Sequence, residues 1–90
     1  MDALEDLSHR VRSVVISALD LNDREAALIN EETSAADVEK WTSLAHIGLI
    51  LELERCFNIE FPDEEIVDLA SVGSIIQTLD RRNNNVSSLD

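Results

Sequence analysis

This chain is short of most of the residues that special chemistry or a special compartment would require. It has one cysteine, Cys56, which excludes an internal disulfide and fits a reducing environment. Its two glycines make no Gly-rich phosphate loop. Aromatic residues are 3% of the ninety, so a core has to be built from Leu, Ile, Val and Ala. Basic residues number seven against nineteen acidic ones, a formal net charge of -12. Such a field repels nucleic acid and anionic membranes, attracts basic docking patches, and is expected to keep the protein soluble and monomeric. No apolar run approaches the roughly 20 residues of a membrane span. The acidic start Met1-Asp2-Ala3-Leu4-Glu5-Asp6 does not read as a signal peptide. The expected location is therefore cytoplasmic.

What the chain does have is helical periodicity over a length that suits one modest domain. Leu4, Leu7, Val11, Val14, Val15 and Ala18 fall on one stripe, which predicts a first helix over 3–19, with Asp2 as its cap and a stop at Asp20-Leu21-Asn22-Asp23. Residues 20–42 are weakly periodic. They read as a long connection with one helical turn near Arg24–Leu28 and with Leu28, Ile29 and Val38 as apolar anchors.

Residues 43–57 predict a second helix. Leu44, Ile47, Leu49, Ile50, Leu51, Leu53, Cys56 and Phe57 cover roughly two thirds of its circumference at ~100° per residue. That helix is expected to be covered on two sides, with Ala45, Gly48, Glu52 and Arg55 outward and Cys56 as a buried filler. Glu54, inside the apolar arc, is expected at a groove edge or paired with a base. Pro62 stops the helix. Asp63 then caps a short helix over about 64–69 with Ile66, Val67 and Leu69 buried. Ser71 caps a last helix carrying Val72, Ile75, Ile76 and Leu79 at i, i+3, i+4 and i+7. The plan is all-α, three main helices and one short one over 1–82, with 83–90 as a flexible tail.

The catalytic constellations one would look for are missing. His9 and His46 have no Cys partner at zinc spacing. Asp20, Asn22, Arg24 and Glu31 match calcium-loop spacing, but Arg24 and Glu25 stand where that loop needs an oxygen ligand and a glycine. Ser43 and His46 lie one helical turn apart as a nucleophile and base would, with no third group or oxyanion hole. No metal site and no enzyme are expected. The head of the second helix offers something else. Trp41-Thr42-Ser43-Leu44-Ala45-His46 puts hydroxyls where free N–H groups and the positive end of the dipole collect, a setting that suits a phosphodiester. Either hydroxyl can instead cap the helix, and the two roles are compatible: Thr42 can cap while Ser43 carries a group. Trp41 is expected to pack at the helix entry, and His46 to be solvated, packed on Trp41, or near such a phosphate.

With Thr42-Ser43-Leu44, the register to Leu49, Leu53, Glu54 and Phe57, the loop Phe61-Pro62-Asp63-Glu64-Glu65-Ile66, and the helix from Val72 to Leu79, the chain resembles acyl carrier proteins over nearly its whole length. That resemblance implies a four-helix bundle and a 4'-phosphopantetheine arm covalently attached to Ser43, flanked by Thr42, Leu44 and His46. It implies a phosphopantetheinyl transferase that moves the arm from coenzyme A. It also implies partners that load and use acyl thioesters: an acyl-activating ligase or acyltransferase, and a ketosynthase or other acyl-using enzymes, in fatty-acid, polyketide or related acyl transfer. The bundle interior would shelter the acyl chain, at ~0.8 kcal/mol per buried methylene. The family motif is Asp-Ser-Leu. Thr42 keeps a cap in place of that Asp and removes a charge that would help a transferase hold its metal and substrate. The alternative is a module of the same fold that is poorly modified or unmodified and works through its acidic surface.

Overall fold

The computed structural model describes residues 3–88, with side-chain surroundings over 6–82. Among the described residues the chain forms five α-helices, α1 (Ala3–Ala18), α2 (Asp23–Ala27), α3 (Ser43–Phe57), α4 (Asp63–Ile66) and α5 (Val72–Ser88), with a 3-10 turn over Ala35–Asp37. The all-α expectation holds, and the expected cap at Asp2 lies outside the described residues. Helix α1 packs against both α3 and α5. Leu7, Val11 and Val15 are buried on the stripe that the periodicity predicts, Val14 and Ala18 are half-buried on it, and Leu19 is buried just past the helix. They meet Leu49, Ile50 and Leu53 of α3 and Val72, Ile75, Ile76 and Leu79 of α5 in one core. The core is aliphatic apart from Trp41 and Phe61 at its edges.

The helix ends are closed by local chemistry. Asp20 and Asn58 take the left-handed conformation, with φ of 54° and 55°. The Leu21 N–H then reaches the Ile16 carbonyl at 3.0 Å, and the Ile59 N–H reaches that of Glu54 at 3.1 Å, which satisfies carbonyls each helix would leave open. Asn22 and Glu25 form a reciprocal capping box on α2. Two arginines of α1 serve the ends of other helices. Arg12 donates to the Ala26 carbonyl at 2.8 Å, and Arg10 donates to that of Cys56 at 3.3 Å while lying over the Phe57 ring. A cation belongs there, at the negative end of the dipole.

The long connection is fastened to the start of α5 by backbone bonds. Ala35 N–H donates to Ala70 O at 2.8 Å, Val72 N–H to Thr33 O at 2.9 Å, and Gly73 N–H to Glu31 O at 2.8 Å. A Cβ at Gly73 would stand 2.7 Å from that Glu31 oxygen, so the clamp closes only over glycine. Ser71 caps α5 as predicted, its Oγ accepting the Ser74 N–H at 3.1 Å.

Several expectations need correcting. Leu28 is exposed, and the connection is anchored by buried Ile29 and half-buried Val38. Helix α4 is shorter than expected: Pro62 rather than Asp63 stands at its cap, and it ends at Ile66, so Val67 is exposed while Leu69 is buried. Cys56 is exposed rather than a core filler, because α1 crosses beside Phe57 and leaves the adjoining position of α3 uncovered. Apart from these corrections, helix α5 continues as far as Ser88. No glycine or proline stands there to end it. Leu89 and Asp90 lie outside the described residues.

Candidate functional site

The head of α3 is built by three residues with separate tasks. Trp41 is buried at 5% exposure and fixes where the chain enters the helix. Thr42 is extended, with φ -82° and ψ 172°, and its Oγ1 accepts the Ala45 N–H at 3.1 Å. Its carbonyl accepts the His46 N–H at 2.8 Å, the first bond of the helix. Ser43 is therefore not the cap. It is the first helical residue and it is exposed. A helix provides no internal partner for its first N–H groups, and Thr42 takes only that of Ala45, so those of Ser43 and Leu44 face outward in the positive field of the dipole. The first turn of α3 holds no acidic residue, so an anion at Ser43 meets no like charge there.

His46 lies beneath this site. Trp41 Nε1–H donates to His46 Nδ1 at 2.9 Å, and the rings are 6.0 Å apart. With Nδ1 accepting, the proton sits on Nε2, which donates to the Ile66 carbonyl at 3.0 Å. Of the three placements expected for His46, packing on Trp41 is the one observed, and the ring ties α3 to the end of α4. Glu54 was expected at a groove edge or beside a base. Its Oε2 instead accepts the Phe61 N–H at 2.8 Å, holding the loop that carries the chain into α4. A carboxylate inside an apolar arc, a few residues before a loop, was the available signal. Arg82 of α5 braces the same corner, 3.1 Å from Glu65 and over the Phe61 ring.

The outer face of α3 departs most from expectation. Leu44, Ile47 and Leu51 are exposed, at 80%, 55% and 60%, although periodicity placed them in the covered arc. Ala45, expected outward, is half-buried. The neighbours of α3 cover only the side carrying Leu49, Ile50 and Leu53, so Leu44, Ile47 and Leu51 form a second, open stripe at i, i+3 and i+7. Gly48 lies beside it with open space around the place of a Cβ. Further along, Glu52 and Arg55 form an ion pair, which holds the Arg55 guanidinium above its ordinary pKa. Three clefts lie away from Ser43: one of about 450 Å³ along the long connection beside Leu21, Ile29 and Val38, one of about 370 Å³ between α1 and the end of α3 beside Arg10 and Phe57, and one of about 270 Å³ between α1 and the start of α5. Among the described residues no cluster of three or more His, Cys, Asp or Glu is arranged to hold a metal ion, and no helix is long and apolar enough to cross a membrane.

Comparison with known proteins places the chain. No protein-family model matches the chain. Curated relatives do. An acyl carrier protein of Wolinella succinogenes is 33% identical over 70 residues, covering 78% of this chain and 88% of the relative. One from Caulobacter vibrioides is 30% identical over 74 residues, covering 82% and 91%, and one from Phenylobacterium zucineum is 29% identical over 79 residues, covering 88% and 96%. An exposed serine at the head of the most apolar helix of a small acidic bundle, with relatives that span most of it, leads to one conclusion: the chain belongs to the acyl carrier protein family, whose members are carriers and not enzymes.

Proposed function

We propose that Ser43 bears a 4'-phosphopantetheine arm and that the chain holds acyl groups on it as thioesters, for fatty-acid, polyketide or related acyl transfer in the cytoplasm. The observation that carries this reading is the division of labour at the head of α3. Thr42 caps the helix at 3.1 Å and leaves Ser43 exposed and uncommitted. When bound, the arm supplies a mobile thiol that carries the acyl group.

The chain's own residues prepare the attachment. In loading, Ser43 Oγ forms a bond to the phosphorus next to the pantetheine in coenzyme A. The bond from that phosphorus to the bridging oxygen breaks, adenosine 3',5'-bisphosphate leaves, and the hydroxyl proton passes to a base of the transferase. The outward N–H groups of Ser43 and Leu44 would hold a phosphodiester at Ser43, where the dipole favours a negative charge. Leu44 flanks it on the surface. His46, one turn on, fixes α3 against α4 beneath it. The partners are the phosphopantetheinyl transferase, an acyl-activating ligase or acyltransferase, and a ketosynthase or other acyl-using enzyme. The working domain is 1–82.

Thr42, standing where the family motif has Asp, favours one second reading: an unmodified interaction module of the same fold. Intact-mass spectrometry separates the two. Incubation with coenzyme A and a broad-range transferase is expected to add one phosphopantetheine to the wild type and none to Ser43→Ala. An unchanged mass with several transferases sinks the carrier reading, and a gain that survives Ser43→Ala moves the attachment elsewhere.

A further inference from the structure

Whatever enzyme modifies the Ser43 hydroxyl has to cover the surface around it. A specific contact hides roughly 800 Å² on each partner, so a footprint centred on Ser43 extends about 15 Å, or roughly ten residues along a helix. It must include Leu44, Ile47, Gly48 and Leu51. Exposures of 80%, 55% and 60% make the three large side chains an apolar surface in a protein of net charge -12. The first turn has no acidic residue; of the charges further along the helix, Glu52 and Arg55 neutralise each other in their own ion pair, and the half-buried Glu54 carboxylate is committed to the Phe61 N–H. A basic patch laid along α3 would find no free carboxylate to meet and would face Arg55. The exposed carboxylates nearest this end in the chain or through the His46–Ile66 bond, Glu39 and Asp68, stand outside α3.

Gly48 points the same way. A glycine inside a helix is less favourable than alanine, and here a Cβ would touch nothing within 4 Å. No neighbour in the fold requires the gap. A bare patch of backbone between Ile47 and Leu51 is what an incoming side chain needs for close approach.

We infer that the phosphopantetheinyl transferase loading Ser43 docks on α3 through an apolar surface without a basic patch, seating a side chain against Gly48 between Ile47 and Leu51. This rests on Ser43 being the loaded residue. The test is the KM for the carrier during loading of the full chain by a broad-range phosphopantetheinyl transferase with coenzyme A, read by intact mass. Ile47→Ala and Leu51→Ala are each expected to raise KM roughly tenfold, with unchanged helical circular dichroism. Gly48→Glu has open space to occupy and a better helix former to offer, so it folds. It is expected to raise KM severalfold further than Gly48→Ala does. A KM lowered by Gly48→Glu would reveal a basic patch and overturn the inference, as would a double Ile47→Ala, Leu51→Ala variant loaded like wild type. A dimer in sedimentation that Leu51→Glu dissolves would assign the stripe to a second copy and overturn it too. Absence of loading in the wild type defeats the Ser43 assignment itself, and is distinguished from these outcomes by the lack of any mass gain.

Discussion

Helices α1 and α3 are close in length, 16 and 15 residues, and both supply large apolar side chains, yet they use them differently. In α1 the buried residues Leu7, Val11 and Val15 lie on one stripe that faces the core. Its arginines reach past that stripe to hold the ends of α2 and α3. Helix α3 buries Leu49, Ile50 and Leu53 in the core, packs Phe57 at its edge, and leaves Leu44, Ile47 and Leu51 in solvent. No large apolar side chain described in α1 is exposed, whereas three of α3 are. The remainder of α3 is apolar surface beside the serine, and it has to be understood through what binds there.

The comparison breaks most sharply at two leucines two residues apart. Leu53→Ala removes a fully buried side chain and is expected to cost about 2–5 kcal/mol, whereas Leu51→Ala is expected to shift stability by less than about 0.5 kcal/mol. Urea unfolding followed by circular dichroism checks both. Similar losses at the two positions would mean that the outer stripe is covered after all. The two glycines sharpen the contrast. Gly73→Ala forces a Cβ to within 2.7 Å of the Glu31 carbonyl and is expected to destabilise by about 1–3 kcal/mol as an overpacked contact. Gly48→Ala is expected to stabilise by about 1 kcal/mol. Thermal melts that move in the same direction for both would contradict the assignment of one glycine to the fold and the other to the surface.

Those contrasts also mark how far the sequence could be read. The ends of α3 were legible because they are local: Thr42 and Asn58 act on groups within a few residues, and Pro62 forbids continuation. The place of Ser43 was legible for the same reason. The outward leucines were not. Periodicity reports which residues are apolar, but whether a neighbouring helix covers them depends on the packing of α1 and α5, far away in the chain. Cys56 and Val67 were misplaced for that reason, and Leu28 because an apolar side chain in a loop has no periodicity to orient it. The clamp from Glu31 and Thr33 to Gly73 and Val72 is made of backbone atoms and leaves no mark in side-chain pattern except the glycine itself. His46 showed its spacing from Ser43 in the sequence, while its bond to the Ile66 carbonyl depends on where α4 docks.

Smaller effects refine the picture at the head of α3 and in the long connection. Thr42→Ala removes the only side-chain cap of α3 and is expected to cost about 1 kcal/mol, seen as a lower melting temperature. Thr42→Ser should keep most of it. The smallest expected effect is that of the exposed Lys40–Glu25 pair at 2.8 Å. The hydrogen bond from Lys40, with that of the Asn22 N–H, holds Glu25 below its ordinary value of 4.5. The same bond raises Lys40 above 10.5. A depressed carboxylate contributes above its unfolded value and loses that contribution as pH falls through the folded one. A raised ammonium contributes below its unfolded value and loses it as pH rises through the folded one. The melting-temperature difference between wild type and Lys40→Met should therefore be small and level through the neutral range, and shrink at both ends. A difference that persisted in strong acid would show that Lys40 acts through its bond to the Asp20 carbonyl at 3.0 Å or through packing, rather than through Glu25.

The seam between α3 and α4 carries its own optical gauge. Trp41 is the chain's one tryptophan, and its indole N–H is committed to His46, which in turn grips the carbonyl that ends α4. Emission from this protein therefore comes from a single chromophore wired to the position of one short helix. If α4 lifts to admit something between it and α3, the imidazole loses its anchor, the indole exchanges a ring nitrogen for water, and the spectrum moves to the red. Motion of α4 against α3 is thus visible in unlabelled protein.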